Sequence, residues 1–199
     1  MTAPVYLAPY AKAVARYGGA FESLLWASPH TQALRFDALT QAVDLNDRAV
    51  VDAGCGRADL LDYLLQRNIR PRSYVGVEAV DALADEAAAK SDRGAVLRRE
   101  DFLTEPQRAF ADADVVVFSG SLNTLAPAQF YQSLQAAFDV ARECVAFNYL
   151  CSSNLAGRDY LTWHRPTEVE SFALRLARRV NVWDGYLDGD CTVVLWKRA

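Results

Sequence analysis

The sequence is poor in the residues and patterns that mark metal, nucleic-acid and membrane proteins. It has two histidines, and its four cysteines show no Cys-x-x-Cys spacing, so a zinc or other metal site is not expected. The net charge is −4 and the basic residues, mostly arginine, are scattered, which argues against nucleic acid as a partner. No apolar run approaches the length of a membrane span, so no membrane association is expected.

The start of the chain also lacks a pattern, because residues 1–9 show no basic start followed by an apolar core. A secretion signal is therefore not predicted, and a cytoplasmic location is expected. With 199 residues, 52% of them hydrophobic and 23% charged, the chain has the composition of an ordinary globular protein and the length of one domain.

The most informative stretch is residues 49–60, where a β-branched run enters a turn and a helical pattern follows. Gly54 and Gly56 lie at the junction. Because glycine has no Cβ, a ligand can approach the main chain there, and the first N–H groups of the following helix point at that ligand. A strand, a glycine turn and a helix in this order are typical of a nucleotide site in an open α/β sheet.

Around this motif, strand and helix patterns alternate along the chain. Strands are predicted at residues 50–53, 73–78, 95–98, 113–118, 144–148, 180–183 and 191–196. Helices are predicted within residues 10–46 and at 58–67, 81–90, 127–142 and 167–177, the last with a capping box formed by Thr167 and Glu170. Asp188-Gly189-Asp190 is a hairpin signal between the last two strands, so a parallel βα series ends in an antiparallel pair.

Three acidic positions indicate which nucleotide is bound. A dinucleotide fingerprint has a third small residue where this chain has Asp59, and an acid there suits a cationic sulfonium or ammonium better than a pyrophosphate. Glu78 ends the second strand, where a carboxylate can accept hydrogen bonds from both ribose hydroxyls, although NAD sites also use an acid there. Asp101-Phe102 adds an acid for the adenine amino group and an aromatic beside its ring.

With these motifs together, the chain resembles the class I S-adenosylmethionine-dependent methyltransferases over nearly its whole length. Residues 52–58 (Asp-Ala-Gly-Cys-Gly-Arg-Ala) match the family's Asp/Glu-x-Gly-x-Gly-x-Gly, with Ala58 in place of the third glycine. Ser119-Gly120-Ser121-Leu122-Asn123 lies where the family places its substrate-facing loop. The segment before the first strand, residues 1–46, which we term the leader, contains Trp26-x-Ser28 and Gln32-x-x-Arg35-Phe36. In this respect the chain is similar to a bacterial subgroup of unassigned substrate.

The resemblance implies a fold, a cofactor and an activity. The fold is α/β, a Rossmann-like seven-stranded and mostly parallel sheet with an antiparallel last strand and helices on both faces. One domain spans residues 1–199, with 1–46 as a helical lid and 47–199 as the core. The cofactor is S-adenosylmethionine, and the activity is in-line methyl transfer to a small-molecule acceptor. The implied cofactor residues are Asp52, Gly54, Cys55, Gly56, Asp59, Glu78, Ala79, Asp101, Phe102, Ser119 and Gly120.

Departures from the family narrow the acceptor. The fourth strand is not followed by Asn/Asp-Pro-Pro-Tyr, which disfavours amino-methylation of DNA bases or of protein glutamine by that route. Pro-Cys is missing there too, which removes the cysteine route to C5-methylated pyrimidines.

Candidate catalytic residues are few. His30 and His164 are the candidate general bases, although a lone histidine is more often a surface or capping residue. Asn123 and Asn148 follow the fourth and fifth strands, at the edge where α/β sheets bind ligands, but each can equally be a turn residue. Tyr17, Trp26, Tyr149 and Tyr186 are candidate aromatic walls or simply core and lid residues.

Arg35 has two alternative roles. Its forked guanidinium suits a bidentate contact with the methionyl carboxylate of the cofactor, or it forms a surface ion pair with Asp37 or Asp47. Two other functions also stay open, namely an NAD(P)-dependent oxidoreductase on a similar sheet and a non-catalytic S-adenosylmethionine-binding module.

Overall fold

The computed structural model describes residues 4–198, which form one seven-stranded sheet with helices on both faces. The strands are β1 (Ala49–Ala53), β2 (Ser73–Val77), β3 (Ala95–Arg98), β4 (Val115–Phe118), β5 (Cys144–Leu150), β6 (Arg179–Trp183) and β7 (Asp190–Trp196). Their order across the sheet is β3-β2-β1-β4-β5-β7-β6. Only β7 runs antiparallel to its neighbours, β5 and β6, so the predicted fold class is confirmed.

Seven helices and three short 3₁₀ turns connect the strands in the described chain. The helices are α1 (Ala8–Tyr17), α2 (Pro29–Ala42), α3 (Asp59–Gln66), α4 (Asp81–Ala88), α5 (Pro106–Ala109), α6 (Pro127–Val140) and α7 (Pro166–Leu176). The 3₁₀ turns are Val5–Leu7, Phe21–Leu24 and Ser91–Arg93. The sequence did not predict α5, because four residues are too few to show helical periodicity.

The sheet buries both faces, so successive strand residues point into two separate cores. Val51 packs in a cluster with Phe130 of α6 and Val169 of α7. Val50, the preceding residue of β1, packs in the other cluster with Leu39 of α2 and Leu64 of α3. The nearly unbroken apolar pattern of β1 and β4 follows from this two-sided burial.

The N-terminal segment differs in part from a simple lid. Helix α2 packs on the sheet, with Phe36 and Leu39 in the same core cluster as α3. A capping box of Ser28 and Thr31, with Pro29 in the first turn, begins the helix. Within the predicted 1–46 lid, α2 is therefore part of the helical layer that covers the sheet.

The capping box predicted for the start of α7 is wrong. The helix begins at Pro166 after Arg165, and no side chain caps it, so Thr167 and Glu170 form no capping box. Proline fits the first helical turn because its missing N–H would have no partner there.

The loop between β1 and α3 places Ala58 in a left-handed conformation, with φ at +55°. This is the position where the methyltransferase motif has its third glycine. A left-handed alanine costs about 1 kcal/mol relative to glycine, and here the methyl group is buried against the core that contains Leu60 and Leu61.

None of the described helices is both long enough and apolar enough to cross a lipid bilayer.

The buried face of α3 gives a test of this packing. Leu64→Ala deletes a side chain with 0% exposure, so we expect the free energy of unfolding to fall by about 2–5 kcal/mol. Leu174→Ala, on the 63% exposed Leu174 of α7, is the matched control and should cost less than about 0.5 kcal/mol. Urea denaturation measures both, and equal losses would contradict the described core.

Candidate active site

A cavity of about 780 Å³ opens at the carboxyl ends of the parallel strands. It lies where the strand order turns from β1 toward β2 on one side and toward β4 on the other, the usual ligand crevice of an open α/β sheet. Its volume is in the range of small-molecule sites. The leader supplies its cover, because residues from Tyr6 to Phe36 line it together with the strand ends.

Every residue that the sequence proposes for cofactor binding lines this cavity. They are Asp52, Gly54, Cys55, Gly56, Asp59, Glu78, Ala79, Asp101, Phe102, Ser119, Gly120 and Arg35. They come from the ends of four strands, from the start of α3 and from α2. The fold therefore brings residues as far apart in the sequence as Arg35 and Gly120 to one cavity.

The glycine turn has no room for side chains. Gly54 has φ at +71°, and a Cβ there would lie 2.5 Å from the Cβ of Ser121. Gly56 has φ at +56°, and a Cβ there would lie 2.5 Å from Cδ2 of Leu24 in the leader. Both the backbone conformation and the close neighbours therefore favour glycine, independently of any ligand.

Glu78 holds this turn in place. One carboxylate oxygen accepts a hydrogen bond of 2.8 Å from the Gly56 N–H, and the other accepts one of 2.8 Å from the Val80 N–H. Burial raises the pKa of the Glu78 carboxyl, and these N–H donors oppose that rise. A carboxylate has about four acceptor positions, so Glu78 keeps capacity for a further donor in the cavity.

Asp52 is the second buried acid of the site. It is only 3% exposed and accepts a hydrogen bond from the Tyr74 hydroxyl. Burial raises its pKa to about 7, Tyr74 opposes the shift, and the nearby Glu78 and Asp59 carboxylates add to it. Asp52 therefore titrates near neutral pH in the free protein.

Asp101 and Phe102 line the cavity after β3, where the N-terminal segment contacts Asp101 through Tyr6. Asp101 accepts hydrogen bonds from the Tyr6 hydroxyl and, at 2.9 Å, from the Leu103 N–H. Burial, followed by the Asp101 contact, raises the pKa of Tyr6. Sequence reasoning missed Tyr6 and Tyr10, which also line the cavity. Nothing local in residues 4–10 signals a contact such as that of Tyr6 with Asp101, 95 positions later.

Asp59 is engaged by cations of the protein itself. Its carboxylate accepts a 2.9 Å hydrogen bond from Nζ of Lys90 and a 3.4 Å bond from Gln32. It also begins α3, where the helix dipole favours an acid. The helix-terminus interpretation therefore describes this arrangement, and the contact of Asp59 with a cationic group of the cofactor stays a prediction.

Arg35 forms neither of the surface ion pairs considered from the sequence. Its Nε donates a 2.7 Å hydrogen bond to Asp190, its Nη2 contacts the same carboxylate, and the side chains are 8% and 0% exposed. The guanidinium carbon lies 4.9 Å from the centre of the Trp26 ring. Asp37, one of the proposed partners, is bound by Arg67 instead.

The Arg35–Asp190 pair begins a buried polar chain that ends at the cavity wall. Asp190 accepts from the Tyr186 hydroxyl, which accepts from Thr192 at 2.8 Å. The Asn148 side chain donates to Thr192 at 2.5 Å and accepts from Ser119 at 3.2 Å. Asn148 and Tyr186 thus act inside this network, and neither lines the cavity.

The two histidines lie away from the cavity. His30 is exposed in the first turn of α2, and His164 is buried against Phe130, with ring centres 3.9 Å apart. Neither is among the lining residues, and burial lowers the pKa of His164. The structure therefore gives neither histidine the position that a general base requires.

Asn123 lines the cavity but is used by the backbone. Its side-chain oxygen accepts from the Leu150 N–H at 3.2 Å, and its backbone oxygen accepts from the Thr162 N–H at 2.7 Å. It joins the loop after β4 to the segment after β5. Among the aromatic candidates, Tyr17 and Trp26 line the cavity, whereas Tyr149 lies in the core.

Comparisons with known proteins bear on the fold. No family model and no curated protein matches this chain. Among solved structures, magnesium protoporphyrin IX methyltransferase from Synechocystis PCC 6803 with bound SAH superposes with a TM-score of 0.65 at 13% identity, covering 85% of this chain and 83% of that one. The chain has the fold of S-adenosylmethionine-dependent methyltransferases.

Two more structures agree on the fold. The DhpI–SAH complex superposes with a TM-score of 0.67 at 16% identity, covering 98% of this chain and 97% of that one. The pyocyanin biosynthetic protein PhzM gives a TM-score of 0.65 at 18% identity, with 98% of this chain and 69% of that one covered.

The raised pKa of Asp52 predicts a pH dependence of stability. Its folded-state pKa of about 7 lies above its ordinary value of 3.8, so the unfolded state loses this proton first as the pH rises. Between about pH 4 and pH 7 the ligand-free protein should lose up to about 1.4 kcal/mol per pH unit relative to Asp52→Asn. Urea denaturation at pH 5, 6, 7 and 8 measures this.

The exposed Asp188→Asn is the control, and its stability should follow that of the wild type. Parallel stability curves for wild type and Asp52→Asn would contradict the assignment.

The buried Arg35–Asp190 pair predicts a large cost for breaking it from one side. Asp190→Ala leaves a buried guanidinium without its carboxylate, and we expect a loss of about 3–5 kcal/mol in the free energy of unfolding. Adding Arg35→Met should recover at least about 1 kcal/mol, because no buried charge then remains unpaired. Asp85→Ala, in the exposed Arg99–Asp85 pair, should cost at most about 1 kcal/mol. Additive effects of the two buried changes would show that the pair is uncoupled.

Proposed function

We propose that this protein binds S-adenosylmethionine in the cavity and catalyses methyl transfer to a small-molecule acceptor. The observation that carries the proposal is the Glu78 carboxylate at the end of β2, bound to the glycine turn and facing the cavity. The methyltransferase fold supports the activity in general, and the acceptor is part of the proposal.

The residues of the cavity suit this cofactor. Glu78 would accept from the two ribose hydroxyls, and Asp101 and Phe102 would contact the adenine from the end of β3. Gly54 and Gly56 line the cavity, so the main chain of the turn would contact the cofactor's amino-acid part. Five carboxylates and two cationic side chains, Arg35 and Arg158, are among the described residues that line the cavity. Lys90 balances Asp59 and Asp190 balances Arg35, so the remaining acids still outnumber the remaining cation, which favours a ligand with a cationic group.

The same charge balance disfavours the nicotinamide alternative. The pyrophosphate of a dinucleotide would lie at the start of α3, where Asp59 faces the cavity and Asp52 is close. Bringing a dianion beside these carboxylates costs Coulomb energy, and the two nearest cations, Lys90 and Arg57, already lie against Asp59.

When bound, S-adenosylmethionine would supply a methyl group on a sulfonium, which an acceptor nucleophile would take as the carbon–sulfur bond breaks and S-adenosylhomocysteine leaves. The chain's own residues then have to align the acceptor and exclude water, and positioning of this kind can contribute about 7–11 kcal/mol. Leu24 and Trp26 of the leader cover the cavity, with Trp26 seated on Gly120. No histidine of the described residues lines the cavity, so the chemistry proposed here uses no histidine base.

Removing the Glu78 carboxylate should weaken cofactor binding. Each charge-assisted hydrogen bond contributes about 1.5–3 kcal/mol, so Glu78→Ala should raise the Kd for S-adenosylmethionine by about 100-fold or more in calorimetry. Glu170→Ala removes an exposed carboxylate of α7 outside the cavity and should leave the Kd unchanged. Circular dichroism checks that both variants fold.

Two results would overturn the proposal. Wild-type protein that binds NADPH but neither S-adenosylmethionine nor S-adenosylhomocysteine would favour the oxidoreductase. Binding of S-adenosylmethionine with no transfer of labelled methyl groups to any member of a broad metabolite panel would favour the non-catalytic binding module.

A further inference from the structure

The strand order divides the cavity into two halves of different charge. The ends of β3, β2 and β1 form one side, and the ends of β4 and β5 form the other. Four of the five lining carboxylates belong to the first side. They are Asp52, Asp59, Glu78 and Asp101. The fifth, Glu22, belongs to the leader.

The second side, which we term the acceptor half, is mostly apolar. It is lined by Leu150, Leu155, Leu161 and Leu187, with Leu25 and Trp26 of the leader across from them. The polar groups among these are uncharged, as in Thr124, Asn154 and Tyr160. Apolar walls with a few neutral hydrogen-bonding groups are typical of sites for uncharged organic molecules.

Positive charge in the acceptor half is nearly absent. Arg35 is bound on one carboxylate by two of its nitrogens, so Asp190 compensates its charge. Arg158 is the one remaining cation among the described lining residues, and its side chain is exposed. A phosphate group carries close to two negative charges and is bound in proteins by several arginines, lysines or converging N–H donors. One exposed arginine does not supply that.

The wall of this half is fixed before any ligand binds. Asn123 binds the backbone on both sides of the wall, at Leu150 and Thr162. The His164 N–H donates to the Leu150 oxygen at 2.9 Å, and its ring is stacked on Phe130 of the core. Residues 150–164 thus form a loop closed at its base, which gives Asn123 and His164 a positioning role. A preformed apolar wall binds an apolar ligand without a large ordering cost.

We infer that the acceptor half binds an uncharged, largely apolar molecule as methyl acceptor, and that it discriminates against the same molecule carrying a phosphate. This inference rests on the proposed function. It names a class of acceptor that the fold alone does not give.

The test uses a matched pair of probes, 2-naphthol and 2-naphthyl phosphate, on the full-length protein saturated with S-adenosylhomocysteine. Calorimetry first measures S-adenosylhomocysteine binding alone. If it does not bind, the proposed function fails. If it binds, the second titration tests only the acceptor half, and we expect 2-naphthol to bind at least about tenfold more tightly than its phosphate, a difference of about 1.4 kcal/mol.

Variants locate the probe. Leu161→Asp puts a charge into the apolar wall and should weaken 2-naphthol binding by about tenfold or more, with S-adenosylhomocysteine affinity unchanged within about twofold. Leu187→Asp is a second, independent change in the same wall, used if the first fails to fold. Leu174→Asp, on the exposed face of α7, is the matched control and should change neither affinity.

Three outcomes would overturn the inference. The phosphate could bind as tightly as 2-naphthol, with Arg158→Ala abolishing that binding, which would indicate an anionic acceptor. The saturated protein could bind neither probe. Binding of 2-naphthol could also persist in both wall variants, which would place the probe elsewhere.

Discussion

The structure depends on a glycine turn held by a buried carboxylate. Glu78 binds the Gly56 N–H from the end of the neighbouring strand, and the Gly54 and Cys55 N–H groups bind the Val77 oxygen at 2.8 and 3.0 Å. The turn is thereby fixed to β2, in a left-handed conformation that favours glycine at 54 and 56. Everything that lines the cavity is arranged around this fixed turn.

That arrangement places negative charge where water is scarce. Burial raises the pKa of Asp52 to about 7 and also raises the pKa of Glu78, because each carboxylate loses hydration and faces another. In the free protein these groups are held at a cost in free energy. A cationic ligand would offset that cost, and the proposed preference for a sulfonium compound over a pyrophosphate rests on this effect. Strain and desolvation at a site are in general offset by the rest of the fold, here by two well-packed cores on the sheet.

The sequence predicts those parts of the site that depend on local order. The glycine turn, Glu78, Asp101 and Phe102 follow strand ends at regular intervals, so parallel topology alone brings them to one edge. The partner of Arg35 could not be found this way, because Asp190 is 155 residues away and is brought close by the antiparallel strand β7. Tyr6 presents the same difficulty, since its contact with Asp101 depends on how the leader folds back over the sheet. His164 shows the opposite kind of difficulty. Its residue type suggested a general base, but its ring is stacked on Phe130 in the core, a position that the sequence does not reveal.

The leader contacts both halves of the cavity. Helix α2 is part of the sheet layers, and Arg35 connects it through Asp190, Tyr186 and Thr192 to the strands under the acceptor half. The residues before α2 cover the other end, where Tyr6 contacts Asp101 and Leu24 lies on Gly56. One continuous segment therefore contacts the acidic half and the apolar half at once. In the proposed reaction, S-adenosylmethionine and the acceptor must meet with water excluded. Because the leader contacts both halves of the cavity, it is positioned to respond to the binding of either molecule.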